Sequence, residues 1–266
     1  MSLSREQMLI EMGISPIWVA REPGQALAPV TVAAPASAPP ENSATSPVVA
    51  ALSSPVPPPS PKSTPVPANS PVAVDSLNWP ELARQVAACT ACPLCQQRKQ
   101  AVLGVGDLHP DWLFVGEGPG ADEDVQGEPF VGQAGKLLDN MLAALDISRG
   151  NKVYIGNAVK CRPPGNRTPE AAEMAACWPY LERQIALLKP KIIVLLGKAA
   201  VHAVLHEDKT LASMRGNRFE YAGIPVVVTY HPAYLLRNLP DKAKAWEDLL
   251  FARRLLRSQT SPDLPF

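Results

Sequence analysis

Proline placement limits which part of this chain can fold. Of its 30 prolines, 14 lie between Pro23 and Pro71, in a stretch made mostly of Ala, Ser, Val, Thr and Pro with almost no aromatic side chains. Each proline removes a backbone donor and fixes φ, and the small side chains between them bury too little apolar surface to offset the entropy of ordering the segment. The sequence therefore divides into a short amphipathic segment over residues 1–22, a Pro/Ala-rich disordered linker over 23–75, a folded domain over 76–258 and a C-terminal tail over 259–266. In the first segment Met8, Leu9, Met12, Ile17 and Trp18 sit among charges, with breaks near Gly13 and Pro16. That pattern predicts either a frayed terminal helix or a peptide that docks on a protein partner from an extended, semi-rigid tether.

Charge excludes little. The chain has 25 Lys plus Arg against 25 Asp plus Glu, and from Glu81 onward 22 against 20, so bulk electrostatics neither demands nor rules out a polyanionic partner. No run approaches the ~20 consecutive apolar residues of a membrane-spanning helix. Glu6 and Glu11 stand where a secretion signal would be apolar. A cytoplasmic protein with no membrane partner is expected. Its five cysteines, Cys89, Cys92, Cys95, Cys161 and Cys177, then point to a metal site or reactive thiols rather than to a disulfide framework.

Beyond the linker, helices and apolar strands alternate. Leu77 to Ala88 reads as a helix, Trp112 to Val115 as a buried strand ending in a GEGPG turn, and Ala134 to Leu145 as an amphipathic helix. Val153 to Ile155 reads as a strand leading to Asn157, Thr168 to Leu188 as a long helix capped by Thr168, and Ile192 to Leu196 as a continuous apolar strand. Ala199 to Leu205 continues as helix, Pro225 to Thr229 as a strand running into Tyr230, His231 and Pro232, and Ala243 to Leu256 as the closing helix. Such alternation predicts an α/β fold with three layers, a central parallel four-stranded sheet between helices. Ligands bind beyond the carboxyl ends of strands in these sheets, which brings Glu117, Asn157 and His231 together.

The segment Val115 to Gly135, VGEGPGADEDVQGEPFVGQAG, is the most unusual in the sequence. Its glycines and Pro119 make a tight turn open to close approach by a ligand. Neither GxGxxG nor GK[ST] is present, so no dinucleotide or P-loop reading is supported, and the acidic run Asp122, Glu123, Asp124 would repel a triphosphate unless metals intervene; the plainer alternative is a Gly-rich turn with a solvated acidic helix start. Asn157 offers a donor and an acceptor on one amide, as recognition of an imide edge requires; the blander role is to satisfy stray backbone groups. His231 taken alone reads more readily as a satisfied loop residue than as a catalyst. Cys89 and Cys92 form a local thiolate pair, and Cys161 with Cys177, sixteen positions apart, supplies two more. Four thiolates suit structural zinc or an iron–sulfur cluster, and the wide second spacing leans toward the larger cluster. Cys95 is left over as a small core residue.

Taken together these residues resemble the family 4, iron–sulfur type, uracil-DNA glycosylases. The resemblance runs from about Leu82 to Leu256 through CTACPLCQQR (Cys89 to Arg98), GEGPGADED (Gly116 to Asp124), GEPFVGQAG (Gly127 to Gly135), VYIGNAVKCRPPGNRTP (Val153 to Pro169), the Arg215 and Gly216 pair, and TYHPAYLLR (Thr229 to Arg237). It implies a uracil-DNA glycosylase-like domain with a [4Fe–4S] cluster on Cys89, Cys92, Cys161 and Cys177. It further implies a uracil pocket made by Gly116, Glu117, Gly118, Phe130, Asn157 and His231, with Asn157, His231 and Glu117 as the catalytic set. Glu123 is a second candidate for orienting water. DNA would be met by Arg162, Arg167, Arg237 and Lys242 on phosphates and by a loop from Pro232 to Arg237 resembling the family's minor-groove wedge, with Tyr234, Leu235 and Leu236 to fill the space of the flipped base. The implied activity is base flipping followed by hydrolysis of the N-glycosidic bond by a monomer acting on uracil-containing DNA. The competing functions are a non-catalytic nucleic-acid-binding module, which would lack Asn157 or His231, and a zinc-stabilised nucleotide hydrolase using Asp122 to Asp124.

Overall fold

The computed structural model describes residues 74–260. The amphipathic segment, the linker up to residue 73 and the tail beyond residue 260 lie outside the described residues. The sheet contains β1 (Val105–Gly106), β2 (Trp112–Gly116), β3 (Val153–Asn157), β4 (Ile192–Leu196), β5 (Phe219–Tyr221) and β6 (Ile224–Thr229), in the order β1-β3-β2-β4-β6-β5. The inner four are mutually parallel, as the apolar runs predict, whereas β1 and β5 add antiparallel edges. The sheet is thus six-stranded rather than four-stranded. The edges escape sequence reading because they are two and three residues long and only partly buried.

Every residue of β2, β3 and β4 is buried, and their side chains alternate between two cores. Trp112, Phe114, Ile155 and Val194 face Leu138 and Leu142 of α3 (Gln133–Ala143) and Leu249 and Ala252 of α8 (Asp241–Thr260). Leu113, Val115, Ile193 and Leu195 face Leu181 and Ile185 of α4 (Ala171–Leu188) and Ala200 and Val201 of α5 (Lys198–Leu205). At roughly 1.5–3 kcal/mol for each large apolar side chain removed from water, this double burial makes the sheet the rigid element of the domain. A third cluster packs α1 (Trp79–Ala87), started by an Asn78/Glu81 capping box, against α4 and the cysteines.

The pairing Gly116 with Asn157 and Leu196 with Thr229 keeps the carboxyl ends of the inner strands flush. Two local expectations change here. Helix α4 starts at Ala171, not at Thr168, because Glu173 turns back to accept from the Glu170 N–H at 2.7 Å and closes the first turn. Pro232 to Arg237, read as a loop, is the short helix α7 (Pro232–Arg237), with Pro232 in its first turn and His231 as its cap.

Candidate active site

One open cavity of about 720 Å³ lies beyond the carboxyl ends of β2, β3, β4 and β6. Glu117, Gly118, Phe130, Asn157, Arg167, Tyr234, Arg237 and His231 all line it, so residues spread over 120 positions of sequence meet where strand topology places them. Sequence reading missed Thr168, Lys198 and Tyr230, which also line it.

Asn157 ends β3 with only 3% of its surface exposed, and its Oδ1 is buried with no hydrogen-bond partner among the described residues. An orphaned buried acceptor costs about 1–3 kcal/mol, and here it belongs to a residue that lines the cavity. Gly116 lies under it: a Cβ there would stand 2.5 Å from Asn157 Oδ1 and 2.6 Å from Phe130 Cζ. Only a bare backbone lets amide and ring approach each other.

Phe130 sits at φ 56, in the left-handed region that aromatic residues rarely adopt. Arg149 holds it, donating to the carbonyls of Pro129 at 2.8 Å and Phe130 at 2.6 Å. Glu123 holds the following turn by accepting from the N–H groups of Val131 and Gly132. Asp124 is buried and accepts from the Lys99 N–H. The acidic run does open a helix, α2 (Ala121–Gln126), with Asp122 exposed, but Glu123 and Asp124 clamp neighbouring loops instead of standing in solvent. Gly135, in the first turn of α3, would place a Cβ 1.7 Å from the Phe130 carbonyl oxygen. Replacing a helical glycine by alanine ordinarily gains up to ~1 kcal/mol. Gly135→Ala is expected to lose about 1–3 kcal/mol instead by overpacking, read as a lower urea midpoint.

His231 has its tautomer fixed by the fold. Its Nδ1 accepts from the Ala233 N–H at 3.2 Å as the cap of α7, which leaves the proton of the neutral ring on Nε2. The ring contacts Phe130, centroids 5.4 Å apart. Burial, with the nearby Arg237 cation, pulls His231 down from 6.5 to about 4. Between those values the unfolded chain binds a proton that the folded chain does not, so the stabilisation is full above pH 6.5 and is lost as pH falls toward 4. At pH 5 the loss from this residue is on the order of 2 kcal/mol. Urea unfolding at pH 7 and pH 5 should show that loss in the unmodified protein and not in His231→Gln.

Burial also holds the Glu117 carboxyl above its ordinary range, opposed by a hydrogen bond with Thr168; the side chain expected to cap α4 is spent on Glu117. Tyr230 and Tyr234 stack at 5.0 Å, with the Arg215 guanidinium 4.8 Å from the Tyr230 ring and paired with buried Asp248 at 2.6 Å. Arg167 does not present a free fork, because both its terminal nitrogens bond the Glu173 carboxylate at 2.8 and 2.7 Å. Arg162 bonds Asn166. Within α7, Leu235 is 1% exposed and packs inward, which removes it from the candidate wedge, while Leu236 is 42% exposed.

Cys89, Cys92, Cys161 and Cys177 line a second, smaller cavity with Arg98, Lys160 and Tyr180, and Cys95 is not among its lining residues. Donors face the sulfurs: Arg98 Nη1 lies 2.8 Å from Cys161 Sγ, the Lys160 N–H 3.3 Å from Cys177 Sγ, and the Ala91 N–H 3.4 Å from Cys89 Sγ. These donors favour the thiolate forms, against burial, which pushes the Cys92, Cys161 and Cys177 thiols up, Cys177 to about 11. Among the described residues no three His, Cys, Asp or Glu side chains converge closely enough to hold a single metal ion.

Residues 103–250 match the sequence pattern described as the Uracil DNA glycosylase superfamily. The chain is 42% identical over 182 residues to the Type-4 uracil-DNA glycosylase of Thermotoga maritima, covering 67% of this chain and 94% of that protein. It is also 42% identical over 177 residues to the Type-4 uracil-DNA glycosylase of Pyrobaculum aerophilum, covering 64% and 90%. The Type-5 enzyme of the same organism is 34% identical over 151 residues, 50% of this chain and 66% of that protein. Fold, cavity and sequence agree, and the chain belongs to the uracil-DNA glycosylase superfamily.

Proposed function

We propose that the protein is a DNA repair hydrolase that flips uracil out of DNA and hydrolyses its N-glycosidic bond, leaving free uracil and an abasic site. The observation that carries this reading is the orphaned Asn157 Oδ1 on the wall of a cavity that also holds a neutral His231. Uracil N3–H satisfies Oδ1, and the Asn157 amide N–H donates to O4. Cytosine, with an unprotonated N3 and a 4-amino group, reverses both bonds. Phe130 supplies the aromatic face for the extruded ring, a contact worth ~1–3 kcal/mol.

As the C1′–N1 bond breaks, its electron pair passes to the uracil ring and charge grows on O2. His231 Nε2–H is the donor for that oxygen and acts without changing its own protonation. Water, positioned by Glu117, which Thr168 orients, adds to C1′, and the proton it loses passes to the departing uracil anion, giving free uracil and the abasic sugar. Arg237 and Arg162 are left to meet phosphates, Tyr234 and Leu236 to fill the space of the flipped base, and Arg167 to brace its own loop.

Cys89, Cys92, Cys161 and Cys177 fit a [4Fe–4S] cluster, since four thiols, three of them facing N–H donors, line one cavity and match its ligand set. Hydrolysis of a glycosidic bond has no redox step, so such a cluster supplies cross-linking of α4 to the segments on either side of β2 and β3. The direct test is incubation with a uracil-containing oligonucleotide followed by alkali; no strand scission would refute the activity. Asn157→Asp, which replaces a donor and acceptor pair by acceptors alone, is expected to slow uracil cleavage and admit some cytosine, measured by single-turnover cleavage of both substrates.

A further inference from the structure

Among the described residues, Lys160 is the lysine that the fold encloses fully, at 1% exposed. Enclosing an ammonium costs several kcal/mol of desolvation, and an apolar side chain of similar size would fill the space at less cost. Its donors must therefore matter. Nζ donates to the main-chain carbonyl of Asn157 at 2.8 Å, its own N–H donates to Cys177 Sγ at 3.3 Å, and its carbonyl accepts from the Val102 N–H. Between the two ends of this link, the N–H groups of Ala158 and Val159 are bound to the carbonyls of Gly116 and Glu117. The next residue, Cys161, lines the cysteine cavity, as Lys160 itself does. Five consecutive residues thus run from the base-reading amide to the thiols, with a hydrogen bond from each of the three between.

We propose that Lys160 is a positioning residue that fixes Asn157 against the cysteine cavity, so that seating of the cysteine-bound group and placement of the reading amide form one mechanical unit. This rests on the uracil-reading role of Asn157 given above. Lys160 does not line the larger cavity; its ammonium acts through the carbonyl at the end of β3.

The test compares iron-loaded Lys160→Met, Lys160→Gln, Asn157→Ala and the Lys160→Met/Asn157→Ala double variant. Iron per chain and the urea midpoint are measured with single-turnover cleavage of a uracil oligonucleotide, rates being expressed per iron-loaded chain, and with equilibrium dialysis of free uracil. Lys160→Met is expected to lower both the rate and free-uracil affinity by about 10- to 100-fold, the usual effect of removing a group that orients a site residue, while affinity for an abasic oligonucleotide stays unchanged. Lys160→Gln, which keeps an N–H donor, should lose less, and it replaces Lys160→Met in the comparison if the latter does not fold. In the Asn157→Ala background the Lys160 substitution should add nothing. An unmodified rate per iron-loaded chain in the Lys160 variants, or an effect of equal size without Asn157, would overturn the proposal. An Asn157→Ala variant that cleaves normally would instead sink the uracil-reading role itself.

Discussion

Alanine at position 231 is expected to lower the single-turnover rate of uracil cleavage by about 10²–10³-fold, or ~2.7–4 kcal/mol, the cost of losing one preorganised donor to a developing anion. The donor in question is Nε2–H, which the fold enforces by spending Nδ1 on the Ala233 N–H. Alanine also uncaps α7, at ~0.5–2 kcal/mol of stability. His231→Asn restores an acceptor for the cap without restoring an imidazole, so it should regain stability and stay slow. Measured at saturating enzyme, an unmodified rate in His231→Ala would move leaving-group stabilisation to another residue.

Serine at position 177 is expected to strip the protein of iron and most of its solubility, and serine at 89, 92 or 161 to do the same. An alcohol oxygen is a poor substitute for a soft thiolate, and Cys177 lies 7% exposed inside the packed face of α4, where failure to bind leaves a cavity between α1 and α4. Cys95→Ser should keep its iron, because that side chain is outside the cavity lining. Iron per chain, visible absorption and soluble yield are the readouts, and equal iron loss in Cys95→Ser would refute the ligand set.

What the sequence discloses is governed by how local the cause is. The inner strands are legible because burial on both faces demands continuous apolar runs such as Ile192 to Leu196, and their shared direction then assembles Glu117, Asn157 and His231. The edge strands are not, since Phe219 to Tyr221 carries an exposed Glu220 and is held by pairing with β6. Asp124 and Glu123 look like solvated acids until Lys99, Val131 and Gly132 arrive from other loops to donate to them. Thr168 has the right chemistry for a cap and is drawn away by Glu117. Lys160 is invisible from sequence because lysine belongs on the surface by default, and only the geometry of its donors explains its enclosure.

The short antiparallel margins of the sheet have a consequence for behaviour at high concentration. An exposed parallel edge would offer a row of unpaired N–H and carbonyl groups to another chain, and long apolar strands like those at the centre would make that contact persistent. Here β3 and β6 are each covered by a strand of two or three residues running the other way, too short to template further pairing. Lengthening Val105 to Gly106 or Phe219 to Tyr221 by apolar insertion would reopen a margin to which a second molecule could add, so these two strands act as stops that keep a strongly apolar sheet from growing beyond its own chain.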